Sequence, residues 1–115
     1  MKINSYSFGR MVIDDIEYTS DLIIYPGKID TSWWRKKGHL LQMDDLKEIL
    51  ETNPAVLIIG TGNMGVMKVP GKLRKELTAL GIELYVERTK KAAEIFNSLT
   101  GDKEKKVTAA FHLTC

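Results

Sequence analysis

Cysteine is almost absent from this sequence of 115 residues, because Cys115 is its only one. A single cysteine excludes a disulfide within the chain and is typical of a reducing compartment. Histidine is nearly as scarce, with His39 and His112 far apart in the sequence. No set of His, Cys, Asp and Glu has the spacing of a zinc site, so we expect neither a bound metal nor another cofactor.

Long apolar runs are also missing. No run approaches the roughly 18 residues that a membrane-spanning helix needs. The first residues, Met-Lys-Ile-Asn-Ser-Tyr, contain no apolar signal core. We therefore expect a cytoplasmic protein with no membrane partner.

Neither sign of charge dominates, since 17 basic and 15 acidic side chains give a net charge of +2. This balance argues against a dedicated nucleic-acid binder, which normally carries a clustered basic face. The one local excess is Arg35-Lys36-Lys37 beside Trp33-Trp34. Stacking of bases on tryptophan next to cations could bind a single strand. We favour the simpler interpretation, a solvated basic turn beside a packed aromatic pair.

The richest stretch runs from Pro54 to Pro70 and begins with an unbroken apolar segment of residues 55–59. Such a segment predicts a strand that is buried on both faces, at the centre of a sheet. The residues that follow, 60–65, contain three glycines and are called the glycine turn below. Ligands of α/β proteins tend to bind at the carboxyl ends of central strands, so the glycine turn is the best candidate for a site.

The remaining segments predict an α/β fold in one domain over residues 1–115. Two segments rich in strand formers, residues 6–14 and 17–25, flank Asp14-Asp15 and predict an N-terminal β-hairpin. Helices then alternate with strands at residues 55–59, 82–86 and 107–113, which predicts a mixed sheet with mostly parallel neighbours. We expect Asp44 or Asp45 to cap the first helix, Thr89 to cap the third and Gly101 to end it.

The glycine turn also fits the pattern Gly-x-Gly-x-x-Gly of dinucleotide-binding proteins, with Glu87 ending the next strand. That mechanism needs a helix to begin inside the glycine run, because the free N–H groups of the helix hold the phosphate. Here four residues, 66–69, precede Pro70 and the next helix. We therefore favour a tight turn at a crowded strand end over a nucleotide site.

No other motif assigns a catalytic residue. Serine does not occur in a Gly-x-Ser-x-Gly elbow, and no cation adjacent to Cys115 would activate its thiol. A binding protein is therefore favoured over an enzyme. A small molecule or anion at the glycine turn is the alternative, because backbone N–H groups of such turns can form an anion-binding concavity. Its candidate residues are Gly60, Thr61, Gly62, Gly65, Arg35, Lys68 and Trp34, with Trp33 as a second possible wall.

Several segments together resemble one family, the domain of unknown function 498. They follow the family's order along nearly the whole chain and include Ser7-Phe8-Gly9, Asp21-Leu22-Ile23-Ile24, Trp34-Arg35-x-x-Gly38-His39, Leu57-Ile58-Ile59-Gly60-Thr61-Gly62 and Phe111-His112-Leu113-Thr114-Cys115. The resemblance implies a three-layer α/β domain with a central mixed sheet.

The resemblance carries no established catalytic residue, which again favours a non-enzymatic protein. Eukaryotic members of the family are associated with assembly of respiratory complex I or with adipocyte differentiation, through protein contacts. We therefore expect a protein-binding or assembly module whose protein partner is unknown, and a homo-oligomer is also possible.

Overall fold

The computed structural model describes residues 1–100 and 106–115. The strands are β1 (Ile3–Ser7), β2 (Arg10–Ile13), β3 (Ile16–Tyr18), β4 (Leu22–Tyr25), β5 (Lys28–Asp30), β6 (Val56–Thr61), β7 (Glu83–Glu87) and β8 (Val107–His112). The helices are α1 (Lys47–Glu51), preceded by a 3₁₀ turn at Met43–Leu46, then α2 (Gly71–Ala79) and α3 (Thr89–Leu99). The order of elements is that of the predicted α/β fold.

The main sheet has five strands in the order β5-β4-β8-β6-β7. Strand β6 runs parallel to both of its neighbours, while β4 is antiparallel to β8, so the sheet is mixed as predicted. Every residue of β6 is buried. A strand covered on both faces favours the β-branched residues that fill this segment.

Layers cover both faces of the main sheet. On one face α1, α2 and the loops before them pack through residues such as Leu46, Ile49 and Leu77. On the other face α3 and the N-terminal strands pack around Phe96 and Phe111. The result is the three-layer arrangement that the sequence predicted. The longest helix, α3, has 11 residues, and no helix of the described ranges is long and apolar enough to cross a membrane.

The N-terminal strands differ from the prediction in one respect. The turn at Asp14 and Asp15 is confirmed, and both residues adopt the positive φ of a tight hairpin turn. Each predicted strand is divided, however, and β1, β2 and β3 form a separate three-stranded sheet instead of extending the main one. A positive φ at Gly9 turns the chain between β1 and β2, and β4 leaves the hairpin to pair with β8.

The helix starts also differ from the prediction. Gln42, not an aspartate, occupies the first cap, and the Asp45 carboxylate accepts a hydrogen bond from the Gln42 N–H at 2.9 Å. The third helix is preceded by Arg88, while Thr89 lies inside its first turn. Gly101, predicted to end that helix, lies outside the described residues.

Candidate functional site

The N–H groups of the glycine turn are occupied by other parts of the chain. Asn63 N donates to Thr114 O at 2.7 Å, and Met64 N and Val66 N donate to Cys115 O at 3.2 and 3.0 Å. Gly62 N donates to the Thr89 hydroxyl at 2.8 Å. The turn therefore holds residues 114 and 115 with the same groups that could have bound an anion.

Crowding explains two of the glycines. A Cβ atom on Gly60 would lie 2.7 Å from the Phe111 ring, and one on Gly62 would lie 2.4 Å from the Cys115 carbonyl carbon. Gly62 also has a φ of +104°, which side-chain-bearing residues rarely adopt. These positions need glycine for packing and backbone conformation.

Thr89 joins the turn to the end of β8. Its hydroxyl donates to His112 O at 2.6 Å while it accepts from Gly62 N, and the side chain is fully buried. Sequence reasoning identified Thr89 only as a helix cap, because a threonine before an amphipathic helix gives the same local pattern in either role. Its actual partners are 23 and 27 residues away.

Arg35 lies on the other side of His112 and is committed to a buried cluster. Its Nη2 atom is 2.7 Å from Asp21 Oδ2, and the Arg35 side chain is only 5% exposed. The guanidinium also stacks on the Trp33 ring, 4.5 Å from the ring centroid. We call this group the Asp21–Arg35–His112 cluster. In it, Asp21 pairs with the Arg35 charge that the sequence analysis proposed for a ligand.

Asp21 is the centre of this cluster. Burial on its own would raise the pKa of Asp21, but hydrogen bonds from His112, from the Leu113 N–H and from Arg35 outweigh it and lower that pKa to about 2. The negative charge is felt by Tyr6, whose hydroxyl donates to Leu113 O at 2.7 Å. Burial, with the added charge of Asp21, raises the pKa of Tyr6 to about 12.

His112 is a hydrogen-bonded core residue. Its Nδ1 atom lies 2.8 Å from Asp21 Oδ2, and because that oxygen is an ionised acceptor, we assign the ring hydrogen to Nδ1. The edge of its ring meets the His39 ring, with centroids 5.7 Å apart. Its position at the end of β8 joins the glycine turn to the buried cluster.

Gly60 and Gly62 are packed inside the turn, and the other predicted site residues divide among three places. Thr61, Gly65 and Lys68 line one open cleft of about 620 Å³ at the carboxyl ends of β6 and β7. Arg35 lies in the buried cluster. Trp34, 75% exposed, lines a different pocket of about 330 Å³ near β5 and α1.

The first cleft has two basic residues that sequence reasoning did not select. Arg74 comes from α2 and Arg88 from the junction of β7 and α3, and both line this cleft with Lys68. We call it the basic cleft. Arg74 lies on the exposed face of α2, and helical spacing alone gives no sign that this face borders the end of β6.

The segment proposed for single-stranded nucleic acid does not present a continuous surface. Trp33 is buried and donates its indole N–H to Asp45 O at 3.2 Å. Arg35 is buried too, so Trp34 is the one aromatic ring of the segment that faces solvent. Stacking of successive bases needs several exposed rings along a basic groove.

Family comparison agrees with this fold. Residues 3–112 match the family described as "Protein of unknown function (DUF498/DUF598)". The chain belongs to this family. The resemblance drawn from the sequence motifs is thereby confirmed for nearly the whole chain.

Solved structures show the same architecture. A conserved hypothetical protein from Pyrococcus horikoshii is 29% identical with a TM-score of 0.82, and the match covers 100% of both chains. A Bartonella henselae protein described as an outer membrane protein is 25% identical with a TM-score of 0.78, over 98% of this chain and 94% of the other. A Bordetella pertussis Mth938-like domain is 18% identical with a TM-score of 0.67, over 97% of this chain and 85% of the other, and shows the fold alone.

Proposed function

We propose that this DUF498 protein is a non-enzymatic binding module that acts through contacts with another protein. The observation that supports this proposal is a set of exposed apolar side chains around residues 113–115. Phe8 is 57% exposed and Met64 is 62% exposed, although both belong to tight turns that hydrogen bonds hold to this segment. Exposed apolar patches on a soluble protein mark interaction sites.

The two turns form hydrogen bonds with different residues of the segment. The N–H of Gly9, next to Phe8, donates to Leu113 O at 2.7 Å. Val66, the third exposed apolar residue, donates to Cys115 O together with Met64. The docking surface, defined as Phe8, Met64 and Val66, is therefore held in place by the main chain and loses little entropy on binding.

Photo-crosslinking in the native host tests this proposal. A crosslinking amino acid would replace Phe8 or Met64 in separate proteins. Leu80 is the matched control, because it is also 62% exposed but lies beyond α2, near Pro54 and Ile82 at the opposite end of β6. We expect both test positions to capture the same protein and the Leu80 position to miss it.

A second substitution makes the result specific. In the protein that carries the crosslinker at Phe8, Met64→Asp should abolish capture, whereas Leu80→Asp should leave it intact. Equal capture from Leu80, or capture that ignores Met64→Asp, would contradict the proposed surface. If the captured protein is this chain itself, the partner is a second copy, which is the homo-oligomer that the sequence left open.

The second candidate function is binding of a small molecule or anion beside the glycine turn. It is supported by the cleft that Thr61, Gly65 and Lys68 share. This cleft lies where α/β sheets usually bind ligands, and its volume suits a small molecule. Thermal unfolding against nucleotides, anions and common metabolites tests it, because a ligand of the folded state raises the melting temperature. A screen without any reproducible rise would count against this candidate.

A further inference from the structure

The basic cleft is walled by cations from three separate segments. Lys68 follows the glycine turn, Arg74 projects from α2, and Arg88 lies between β7 and α3. Among the residues that the structure describes, Glu87 is the one carboxylate on the lining. Like charges placed around a cleft repel each other, so an arrangement of this kind is favoured when an anion binds between them.

No ion pair of the described residues neutralises these cations. Within residues 1–100 and 106–115, the charged ends of Lys68, Arg74 and Arg88 form no ion pair. Arg74 donates from Nε to Val69 O at 2.9 Å, which fixes the base of the guanidinium and leaves its two terminal nitrogens for another partner. Arg88 packs its Cγ and Nε atoms against Gly65, 3.2 and 3.3 Å from where a Cβ would lie.

Two helix starts add to the positive potential. Pro70 and Arg88 cap α2 and α3, and both residues line the cleft. Neither cap makes a side-chain hydrogen bond, and neither helix has an acidic residue in its first turn. The N-terminal ends of both helix dipoles therefore reinforce the charge of the basic side chains, with Glu87 as the nearby acidic residue.

We infer that the basic cleft binds a phosphate monoester with an apolar body, gripped by Arg74 and Arg88 and assisted by Lys68. This inference rests on the second candidate function and changes its mechanism, because the N–H groups of the glycine turn are already used by residues 114 and 115. A guanidinium group can donate two parallel hydrogen bonds to two oxygens of one phosphate. Met67 and Val69 line the cleft and supply an apolar wall for the rest of the ligand.

Titration with phenyl phosphate, followed by amide NMR shifts, tests this inference. Phenol is the matched control ligand, because it has the same ring without the phosphate. We expect phenyl phosphate to shift the amides of Gly65, Lys68 and Arg88, and phenol to leave them unchanged. Arg74→Gln and Arg88→Gln should each weaken binding roughly tenfold or more, the usual loss for a charge-assisted hydrogen bond.

Two exposed cations outside the cleft provide control variants. Lys75 lies next to Arg74 on α2, and Lys91 lies in the first turn of α3. The control variants are Lys75→Gln and Lys91→Gln. Both should bind phenyl phosphate as the unchanged protein does. Because Arg74 also bonds Val69, Arg88→Gln is the decisive variant if Arg74→Gln fails to fold.

The outcomes separate the inference from the candidate function on which it rests. Binding that Arg88→Gln leaves unchanged, with shifts confined to residues 62–66, would overturn the arginine grip and keep an anion site at the glycine turn. Equal shifts with phenol would overturn the phosphate specificity. No shift with phenyl phosphate at 10 mM, an excess over the roughly millimolar affinity of a weak site, would overturn the inference, and the metabolite screen would still decide the candidate function.

Discussion

Arg35 and Arg88 carry the same guanidinium group in opposite surroundings. Arg35 is buried against Asp21, His112 and the Trp33 ring, whereas Arg88 lies exposed at the rim of the basic cleft without an ion pair among the described residues. A buried charge costs several kcal/mol unless it is paired, so Arg35 must be paired for the protein to fold. Arg88 has no such requirement and remains available to a ligand.

The glycines beside the buried cluster and beside the basic cleft also differ in the atoms that surround them. Gly62 faces main-chain atoms of Cys115 and the His112 ring, none of which can move independently of the fold. Gly65 faces the flexible side chain of Arg88. The Asp21–Arg35–His112 cluster is therefore a structural anchor, whereas the basic cleft has cations without an ion-pair partner among the described residues.

The largest expected effect is the loss of stability in Arg35→Ala, with Arg88→Ala as the comparison. Arg35→Ala should lower the free energy of unfolding by about 3 to 5 kcal/mol, because it leaves the partly buried Asp21 carboxylate without its buried guanidinium partner. Arg88→Ala should change it by no more than about 0.5 kcal/mol, as is usual for an exposed residue. Urea unfolding of both variants measures the difference. Equal losses would show that the anchor and the cleft are not distinct.

Substitutions of the two glycines should cause stability losses of intermediate size. Gly62→Ala should cost about 2 to 4 kcal/mol, since it adds a clash with Cys115 to an unfavourable backbone conformation. Gly65→Ala, at a φ of +70°, should cost about 1 to 2 kcal/mol, because the Arg88 side chain can give way. Thermal unfolding of the two variants tests this order. A Gly65 variant less stable than the Gly62 variant would contradict it.

The last expected effect is a pH dependence that belongs to the anchor alone. The folded pKa of Asp21 is about 2, below its ordinary value of 3.8, so its ionisation stabilises the folded state above pH 3.8. That contribution, about 2 kcal/mol, is lost as the pH falls through the folded pKa near 2.

Asp21→Asn isolates this contribution from those of other carboxylates. The gap in unfolding free energy between the unchanged protein and Asp21→Asn should shrink by about 2 kcal/mol when urea unfolding moves from pH 6 to pH 2. The gap between the unchanged protein and Arg88→Ala should stay constant over the same range. A constant gap for Asp21→Asn would exclude the carboxylate as the source of the anchor's stability.

Local patterns predicted the centre of the fold well. The apolar run of residues 55–59 became β6, and the glycines after it did mark a crowded strand end, with Phe111, His112 and Cys115 among the crowding neighbours. The hairpin turn at Asp14 and Asp15 was also readable, because both residues tolerate a positive φ. In each case the cause lies within a few residues of the signal.

The candidate site could be predicted only in part. Thr61 ends β6, and Gly65 and Lys68 follow it within seven residues, so their common cleft follows from local sequence. Arg35 was an attractive cation in the sequence, but its partners Asp21 and His112 are 14 and 77 residues away. Sequence patterns did not identify Arg74 and Arg88 as site residues either. Helical spacing indicates that a residue such as Arg74 faces water, but it does not indicate which cleft the residue borders.

By itself, the sequence determined the α/β class, the central strand, the sharp turn after it and membership of the DUF498 family. Those properties depend on the order of apolar residues and on the backbone freedom of glycine, which act locally. Only the tertiary structure decided which cations form buried ion pairs and which remain exposed. That choice depends on burial and on partners from distant strands, because a charge is neutralised by whatever the fold places beside it.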